Sequence, residues 1–582
     1  MRQHPFLTGC GLLLLCALLY LWGLGAVPFY TKGEPREAIV VWEIYTNGDW
    51  ILPLRNGHII PSKPPLFHWF GTIVSFAGGD LTEWTIRLPS ALLALIGVAL
   101  TYGTGVALWG VEAGLMAALI VATSFEWNRA ATTARVDMTL TVFMVAAFLH
   151  FLFLYRRRHV RWNDALLFYV LLGMATLAKG PVGVVLPGLT VVVFLAAQRD
   201  LSFLRQLHIL MGGIIVVMVA GAWYGFALWE GGWDFFVKQI LQENVLRFFN
   251  SRIGGSGHEH PFYYFIPNLF LGMAPWSLFF PSIAVFLYQR RQQWAKDGLL
   301  YFVVWTATVF IFYSLASGKR SVYILPLYPA VALLLAAWWE ELRCGHTTVP
   351  PVLLRLIQGS GYLCLALLVV VIAAVVAQCL GYDPLSLIRS GLHPKDQSNL
   401  PLFTGIVPAH PWAFLLWGIA TGAAAILLVV GLRRSYWGWV FTALATFTCS
   451  LSLLVSLVFQ PTVATERTYR PFMERVVARI GNAPLFFYLT FDNGALYYAK
   501  RRVPFYDASL VPQDTSYFLL MRKEEWEKIA PQVGATFQRV EVSEGTGPKD
   551  SHQLVLIAAP AGALLSPETA PPTEEEAEED TL

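Results

Sequence analysis

Charge is what this chain has least of. Only 14% of its 582 residues are Asp, Glu, Lys or Arg and 56% are hydrophobic, whereas a soluble domain carries about 25% charged residues. With a mean hydropathy that is strongly positive, this excludes a soluble globular protein. The net charge of +3 is small and spread out, so there is no electrostatic footprint for a nucleic acid. Cysteine is sparse: Cys10, Cys16, Cys364, Cys379 and Cys449 lie in apolar runs and Cys344 in a short basic loop. None has metal-ligand spacing, and no disulfide framework emerges. A Walker loop, a dinucleotide fingerprint, a zinc-protease helix and a nucleophile elbow are all missing, which excludes soluble nucleotide chemistry. No clear internal repeat is found, although a transporter is expected to show one.

What is abundant is long apolar runs, such as 11–26 and 362–377, that approach or reach the roughly 20 residues needed to cross a bilayer. Hydropathy, broken at charged and turn residues, gives about thirteen spans. They centre in 7–27, 84–108, 112–127, 136–155, 164–178, 181–197, 207–228, 263–288, 298–316, 322–341, 352–380, 410–432 and 436–458. The pair on either side of Lys179 and Gly180 can also be read as one broken helix, and charge arbitrates. From a cytoplasmic amino terminus at Arg2, alternate short loops carry Arg156, Arg157, Arg158 and Arg161, then Arg199 and Arg205, then Arg290, Arg291 and Lys296, then Arg343 and Arg355, then Arg433 and Arg434. That series is what the positive-inside rule expects of the cytoplasm. The opposite loops are longer and mix their cations with acids. The first apolar run is read as a span, because no convincing small-residue cleavage site follows it.

Three outer segments are too long for turns. In 28–83, residues 35–46 read as a helix that starts at a proline and stops at Asn47-Gly48. Residues 229–262 hold a second helix near 233–249, and 381–409 form a Pro-rich loop. The transmembrane domain thus covers 1–459. Residues 460–562 hold the strand-like runs 485–490, 517–521 and 554–558 and a helix at 523–529, a small mixed α/β domain outside the membrane. Residues 563–582 are an acidic tail with the composition of disorder.

Charged groups at a membrane edge are costly, so each asks for a reason. Lys32-Gly33-Glu34-Pro35-Arg36-Glu37 opens a helix whose free amides and Arg36 fork suit an anion, with Glu34 as a base beside it. A solvated cap with a local ion pair explains the same residues. Lys63 sits against Pro64-Pro65 before an aromatic, apolar helix, where it faces a lipid phosphate or simply snorkels. Asp137 follows Arg135 at an outer span mouth, as a second base candidate or as a structural partner of Arg129 or Arg135. Glu37 is a weaker rival, one helical step from Glu34. Lys179 marks a helix break between two apolar runs, a common way to build an anion site. Arg247 lies in Glu243-Asn244-Val245-Leu246-Arg247-Phe248. Lys319-Arg320, followed by Tyr323, again suits a phosphate. His258 and His260, two apart, are either metal ligands or part of a polar loop.

In this order and on one side of the membrane, these segments resemble the polyprenyl-phosphate-sugar glycosyltransferases of the C-type fold, glycosyltransferase family 39 and the lipid A aminoarabinose transferases in particular. The matching stretches are Gly33-Glu34-Pro35-Arg36-Glu37-Ala38, Gly48-Asp49-Trp50, Lys63-Pro64-Pro65-Leu66-Phe67, Arg135-Val136-Asp137-Met138, Ala178-Lys179-Gly180-Pro181, Glu243 to Phe248, Ala274-Pro275-Trp276-Ser277 and Tyr323-Ile324-Leu325-Pro326. They span residues 1 to about 340; the carboxy-terminal domain contributes little. The resemblance implies an α-helical polytopic protein of the bacterial inner membrane with its site on the periplasmic side. It implies sugar transfer, with inversion, from an undecaprenyl-phosphate-linked donor to lipid A, another surface glycan or a protein. Arg36, Lys63, Lys179 and Arg247 would then bind the carrier phosphate or the acceptor's anion, with Lys319 and Tyr323 beside them and Glu34 or Asp137 as base. A divalent metal stays open as a cofactor; nucleic acid is no partner. Two departures stand out. The family opens its first outer loop with an acidic pair, of which Gly33 replaces the first member, and Ser62 stands where the lipid A transferases have a glutamate. The competing reading, of another class, is a non-catalytic lipid-phosphate binder or flippase-like protein that shares the fold. Clustering of the charges in outer loops rather than along mid-span favours the enzyme.

Overall fold

The computed structural model describes residues 4–249, 259–294, 298–345, 351–384, 386–389, 406–547 and 552–565. The acidic run 574–580, most of the Pro-rich loop 381–409, Lys296 and His258 lie outside the described residues. Helices begin and end close to where hydropathy and turn residues place them. The first nine α-helices are α1 (Pro5–Leu21), α2 (Gly33–Asn47), α3 (Leu66–Gly78), α4 (Glu83–Trp109), α5 (Val111–Thr123), α6 (Phe125–Ala131), α7 (Val136–Arg157), α8 (Trp162–Lys179) and α9 (Val182–Ala197). Among the described residues, seven helices are long and apolar enough to cross a membrane, or eight if the pair Phe262–Gly272 and Trp276–Gln289, bent by 109°, is one span. This is a multi-pass membrane protein of mainly helical fold. The expectation of about thirteen spans also counted shorter apolar helices such as α1, α5 and α9, which length and composition alone do not assign.

The chain forms two compact units. One comprises residues 1–24, 88–226 and 258–459; the other comprises 25–87, 227–257 and 460–582.

In the first unit the helices differ in how much of their surface the protein covers. The apolar windows of Ser321–Cys344 and α7 are 89% and 78% buried, whereas that of Leu354–Cys379 is 11% buried. A helix that is apolar all round faces protein or lipid equally well, so composition does not separate these classes. Shape does. Phe151 of α7 meets Tyr155, Phe168, Phe194, Phe203 and Tyr301, all with ring centroids within 6.3 Å. Helices α8 and α9 run back to back because residue 183 is glycine: a Cβ there would lie 2.3 Å from the Ala175 backbone. Hydrogen bonds between distant helices tie polar groups inside, as where the Tyr20 hydroxyl donates to the Ala122 carbonyl over 3.0 Å and the Trp276 indole to Thr123 over 2.9 Å.

In the second unit, α2 starts at Gly33 with Pro35 in its first turn. It stops at Gly48, whose φ of 72° is the left-handed cap that glycine adopts freely. The helical run from Ile209 to Phe249 bends at Gly232, where φ is 55° and ψ −140°. The expected end of a span near 228 and start of a second helix near 233 correspond to this kink. Beyond it Phe236–Leu246 is π-helical.

The carboxy-terminal residues form a four-stranded sheet of β1 (Leu485–Phe487), β2 (Tyr517–Arg522), β3 (Gln538–Val542) and β4 (Leu554–Ala559) in the order β1-β2-β4-β3. The β1–β2 pair is parallel and the other two antiparallel. Helix Lys523–Val533 places Trp526 into a core with Leu519, Met521, Val555 and Ile557.

Candidate functional site

In the second unit, the start of α2 carries two acids three residues apart with different partners. Glu34 is fully enclosed. Its carboxylate accepts from Arg87 Nε at 2.7 Å and Nη2 at 3.2 Å, and from the Thr31 hydroxyl at 3.1 Å. Arg87, in the second turn of α4, also donates to the Val27 carbonyl over 2.6 Å and lies 5.0 Å from the centre of the Phe29 ring. Both oxygens of the acid that the sequence nominates as base are therefore held in a buried ion pair.

Glu37 accepts from Arg36 Nη2 at 2.9 Å and Nε at 3.2 Å through one oxygen, and its other oxygen lies 2.8 Å from His68 Nε2. Burial pushes its carboxyl up, but the charges of Arg36 and His68 and their hydrogen bonds outweigh that and hold it well below the usual carboxylate range.

Lys63 follows, presented by the Pro61-to-Pro65 turn. Its ammonium ion-pairs with Glu243 and donates to its neighbour's Ser62 carbonyl at 2.9 Å. Arg247, one turn beyond Glu243, donates to the same Glu243 oxygen at 2.6 Å, and Arg36 adds its field there. Gln239, Glu243 and Arg247 recur every four residues, so they line one face of the kinked helix. Gln239 donates to the Pro61 carbonyl, which docks the lysine's turn on that face.

The first unit holds its own polar cluster. Asp137 opens α7 and Lys179 closes α8, next to Gly180 with a φ of 106°. The two are ion-paired, and the ammonium lies 4.2 Å from the centre of the Tyr323 ring, a cation–π contact. Arg135 and Arg320 add their fields at Asp137. Glu126 accepts from Arg129 at 2.5 and 3.0 Å and from the Ser321 hydroxyl at 3.1 Å. Lys319 donates to the His260 and Ala316 carbonyls at 2.9 and 2.6 Å, and burial, offset in part by Glu259, lowers its pKa. His260 stacks on Tyr264 with centroids 4.1 Å apart. Burial and then Lys319 lower its pKa. Among the described residues, no three His, Cys, Asp or Glu gather as metal ligands.

The structure thus brings Arg36 and Lys63 to one carboxylate, Glu243, joined by Arg247, and gives Lys179 a different partner, Asp137, beside Tyr323. Sequence reading passed over Arg87, His68, Glu126 and the role of Glu243. The available signal was the cost of charge: Arg87 lies near the start of an apolar span, where an arginine needs a counter-charge.

Comparison with known proteins bears on these clusters. Residues 62–224 match the model of the dolichyl-phosphate-mannose-protein mannosyltransferase family. The chain is 28% identical over 421 residues to an undecaprenyl phosphate-alpha-4-amino-4-deoxy-L-arabinose arabinosyl transferase of Pectobacterium carotovorum, covering 70% of this chain and 73% of that protein. It is 26% identical over 479 residues to the protein of the same name from Serratia proteamaculans, covering 80% and 79%. The crystal structure of ArnT from Cupriavidus metallidurans bound to undecaprenyl phosphate superposes with a TM-score of 0.73 at 20% identity, over 94% of this chain and 97% of that one. Its apo state gives 0.70. The fold is therefore that of ArnT.

Proposed function

We propose, for a chain that has the C-type glycosyltransferase fold and is related in sequence to the polyprenyl-phosphate-sugar transferases, that it is an enzyme moving a sugar from a lipid-phosphate carrier to an acceptor. In a bacterium the carrier is undecaprenyl phosphate. The observation that carries this reading is the gathering of Lys63, Arg36 and Arg247 about Glu243. With Glu37 beside Arg36, three cations and two carboxylates share this part of the second unit. An anion is the natural complement. As the glycosidic bond breaks, the departing phosphate gathers negative charge, and cations already in place stabilise it without reorganising. The guanidinium forks of Arg36 and Arg247 suit two phosphate oxygens each, and Lys63 supplies a point charge.

The acceptor attacks the anomeric carbon in line as the carrier leaves, so configuration inverts. An acceptor hydroxyl must also lose its proton, and Glu34 and Asp137 are the proposed carboxylates. Lys179 engages one Asp137 oxygen, whereas Arg87 engages both oxygens of Glu34; this makes Asp137 the less encumbered base. Lys179 and Tyr323 line its cluster, and Lys319 braces the chain near His260. Lipid A, another surface glycan or an exported protein is the acceptor. The protein is placed in the inner membrane with both clusters on the periplasmic side, opposite the short loop of Arg156, Arg157 and Arg158.

The test is twofold. Mass spectrometry of lipid A, surface glycans and exported proteins from cells with and without the gene should show one sugar modification that depends on it. In nanodiscs, Lys63→Ala and Arg247→Ala should lose undecaprenyl phosphate binding and transfer together. Carrier binding with no transferred product in any acceptor class would favour the non-catalytic binder.

A further inference from the structure

The carboxy-terminal domain has no part in the chemistry just described, and none of the sequence stretches that carry the family resemblance lies in it. Its contacts within the second unit are nonetheless aimed at one target. Tyr498 donates its hydroxyl to Glu83 Oε1 at 2.9 Å and accepts from the Phe29 amide at 2.8 Å. Arg470 donates to the same Glu83 oxygen at 3.0 Å. Glu83 is itself buried. One turn further along α4, Arg87 grips Glu34 at the start of α2. At the far end of α2, Arg502 pairs with the buried Glu43 at 2.9 Å. The loop between α2 and Lys63 is tied as well. Asn56 and Val503 exchange two hydrogen bonds of 2.9 Å, and Arg55 donates to Asn493 over 3.2 Å. The segment that carries Arg36, Glu37 and Lys63 is thus fastened on both sides of its cations to residues 470–503.

A few of these bonds would suffice to dock a domain. Their distribution is what calls for a function, because a buried acid such as Glu83 or Glu43 is costly unless paired, and its partner then fixes the helix that carries it. We infer that the carboxy-terminal domain is a positioning element of the transferase site, acting through Glu83 and Glu43 to set the geometry of Arg36 and Lys63 toward the carrier phosphate. This rests on the reading of those cations as the phosphate grip. Arg470, Tyr498 and Arg502 touch neither substrate nor the reacting atoms in this account.

The test uses the full-length protein in nanodiscs, with Tyr498→Phe, Arg470→Ala and Arg502→Ala, the conservative Arg470→Lys, and Arg475→Ala as control. Arg475 pairs with Glu541 and Glu544 inside the domain. The readouts are thermal melting, undecaprenyl phosphate affinity, and the split between donor KM and kcat. For Arg470→Ala and Tyr498→Phe the expected result is a donor KM raised roughly tenfold, the size of change that loss of a hydrogen bond to a charged group brings. Melting should be little changed, Arg470→Lys should recover most of the loss, and Arg475→Ala should behave as wild type. Lower melting with unchanged donor KM and affinity in the folded fraction overturns the inference and leaves the domain a stabiliser only. So does wild-type behaviour of all three variants. If these variants are silent while Lys63→Ala abolishes carrier binding, the inference fails and the transferase reading stands. If the wild-type protein does not bind the carrier, it is the transferase reading that fails.

Discussion

The two polar clusters are built from similar residues and balanced differently. In the second unit, Lys63 and Arg247 compete for one oxygen of Glu243, with Arg36 close enough to act on it. In the first unit, Lys179 ion-pairs with Asp137, on which Arg135 and Arg320 also act, and has an aromatic face at 4.2 Å. The first arrangement gathers three cations about one carboxylate and is the proposed phosphate grip. In the second, Lys179 lies between Asp137 and Tyr323, and the role proposed for it is to orient Asp137. A lysine at a membrane edge is therefore not by itself a phosphate site; the groups packed against it differ between the two clusters, an arginine sharing the same carboxylate oxygen in one and an aromatic ring in the other.

That contrast can be broken at several points. The largest effect is expected on the chemistry of the Asp137 cluster. Asp137→Asn should lower turnover by roughly 10² to 10⁴ with carrier affinity nearly unchanged, measured as single-turnover transfer in nanodiscs. Loss of carrier binding instead would make Asp137 part of the grip.

Next in size is a stability effect at the acid that sequence alone nominates as base. Glu34→Gln leaves Arg87 charged and enclosed without its main counter-charge, a change typically worth about 3 to 5 kcal/mol when one partner of a buried pair is removed. Melting should fall by several degrees. Wild-type melting with abolished turnover would restore Glu34 as the base.

A smaller effect concerns pH. The Glu37 carboxyl is held well below its usual range by Arg36 and His68, so its pairing stabilises the fold above the ordinary carboxylate pKa, about 4.3, and the benefit goes as pH drops through the lowered value. Glu37→Gln should therefore melt earlier than wild type at pH 7, with the gap closing in strong acid. The smallest change is expected in the carboxy-terminal domain, where burial raises Glu525 to about 7. A raised carboxyl pKa stabilises below the ordinary value and loses that contribution as pH rises through 7. Glu525→Gln should flatten the melting profile between about pH 4 and 7, the span from the ordinary carboxyl value to the raised one, as read by differential scanning.

Much of this architecture was legible because membranes impose simple rules. The expected spans fall on helices at nearly every position, and Asn47-Gly48 stops α2 where turn chemistry requires it. The strand β3 escaped notice because Gln538-Arg539-Val540-Glu541-Val542 is mostly polar and its side chains are exposed or half-buried. The site was legible in its cations and less so in its acids. Arg36, Lys63, Lys179 and Arg247 all find acidic partners. Which carboxylate serves which cation depends on residues 180 apart in the chain, such as Lys63 and Glu243, and no local pattern encodes that pairing. Glu34 and Glu37 differ by three positions on one helix, and only the packing of α4 and α3 against it sends one to Arg87 and the other toward His68.

The most direct test is titration of undecaprenyl phosphate into nanodisc-embedded wild type, Lys63→Ala, Arg247→Ala and Lys179→Ala. The account expects Lys63→Ala and Arg247→Ala each to weaken binding by roughly tenfold or more, the loss of one charge-assisted contact to phosphate, while Lys179→Ala changes it by less than about threefold. Equal loss in Lys179→Ala, or unchanged affinity in Lys63→Ala, would contradict the assignment of the phosphate grip to the cluster about Glu243.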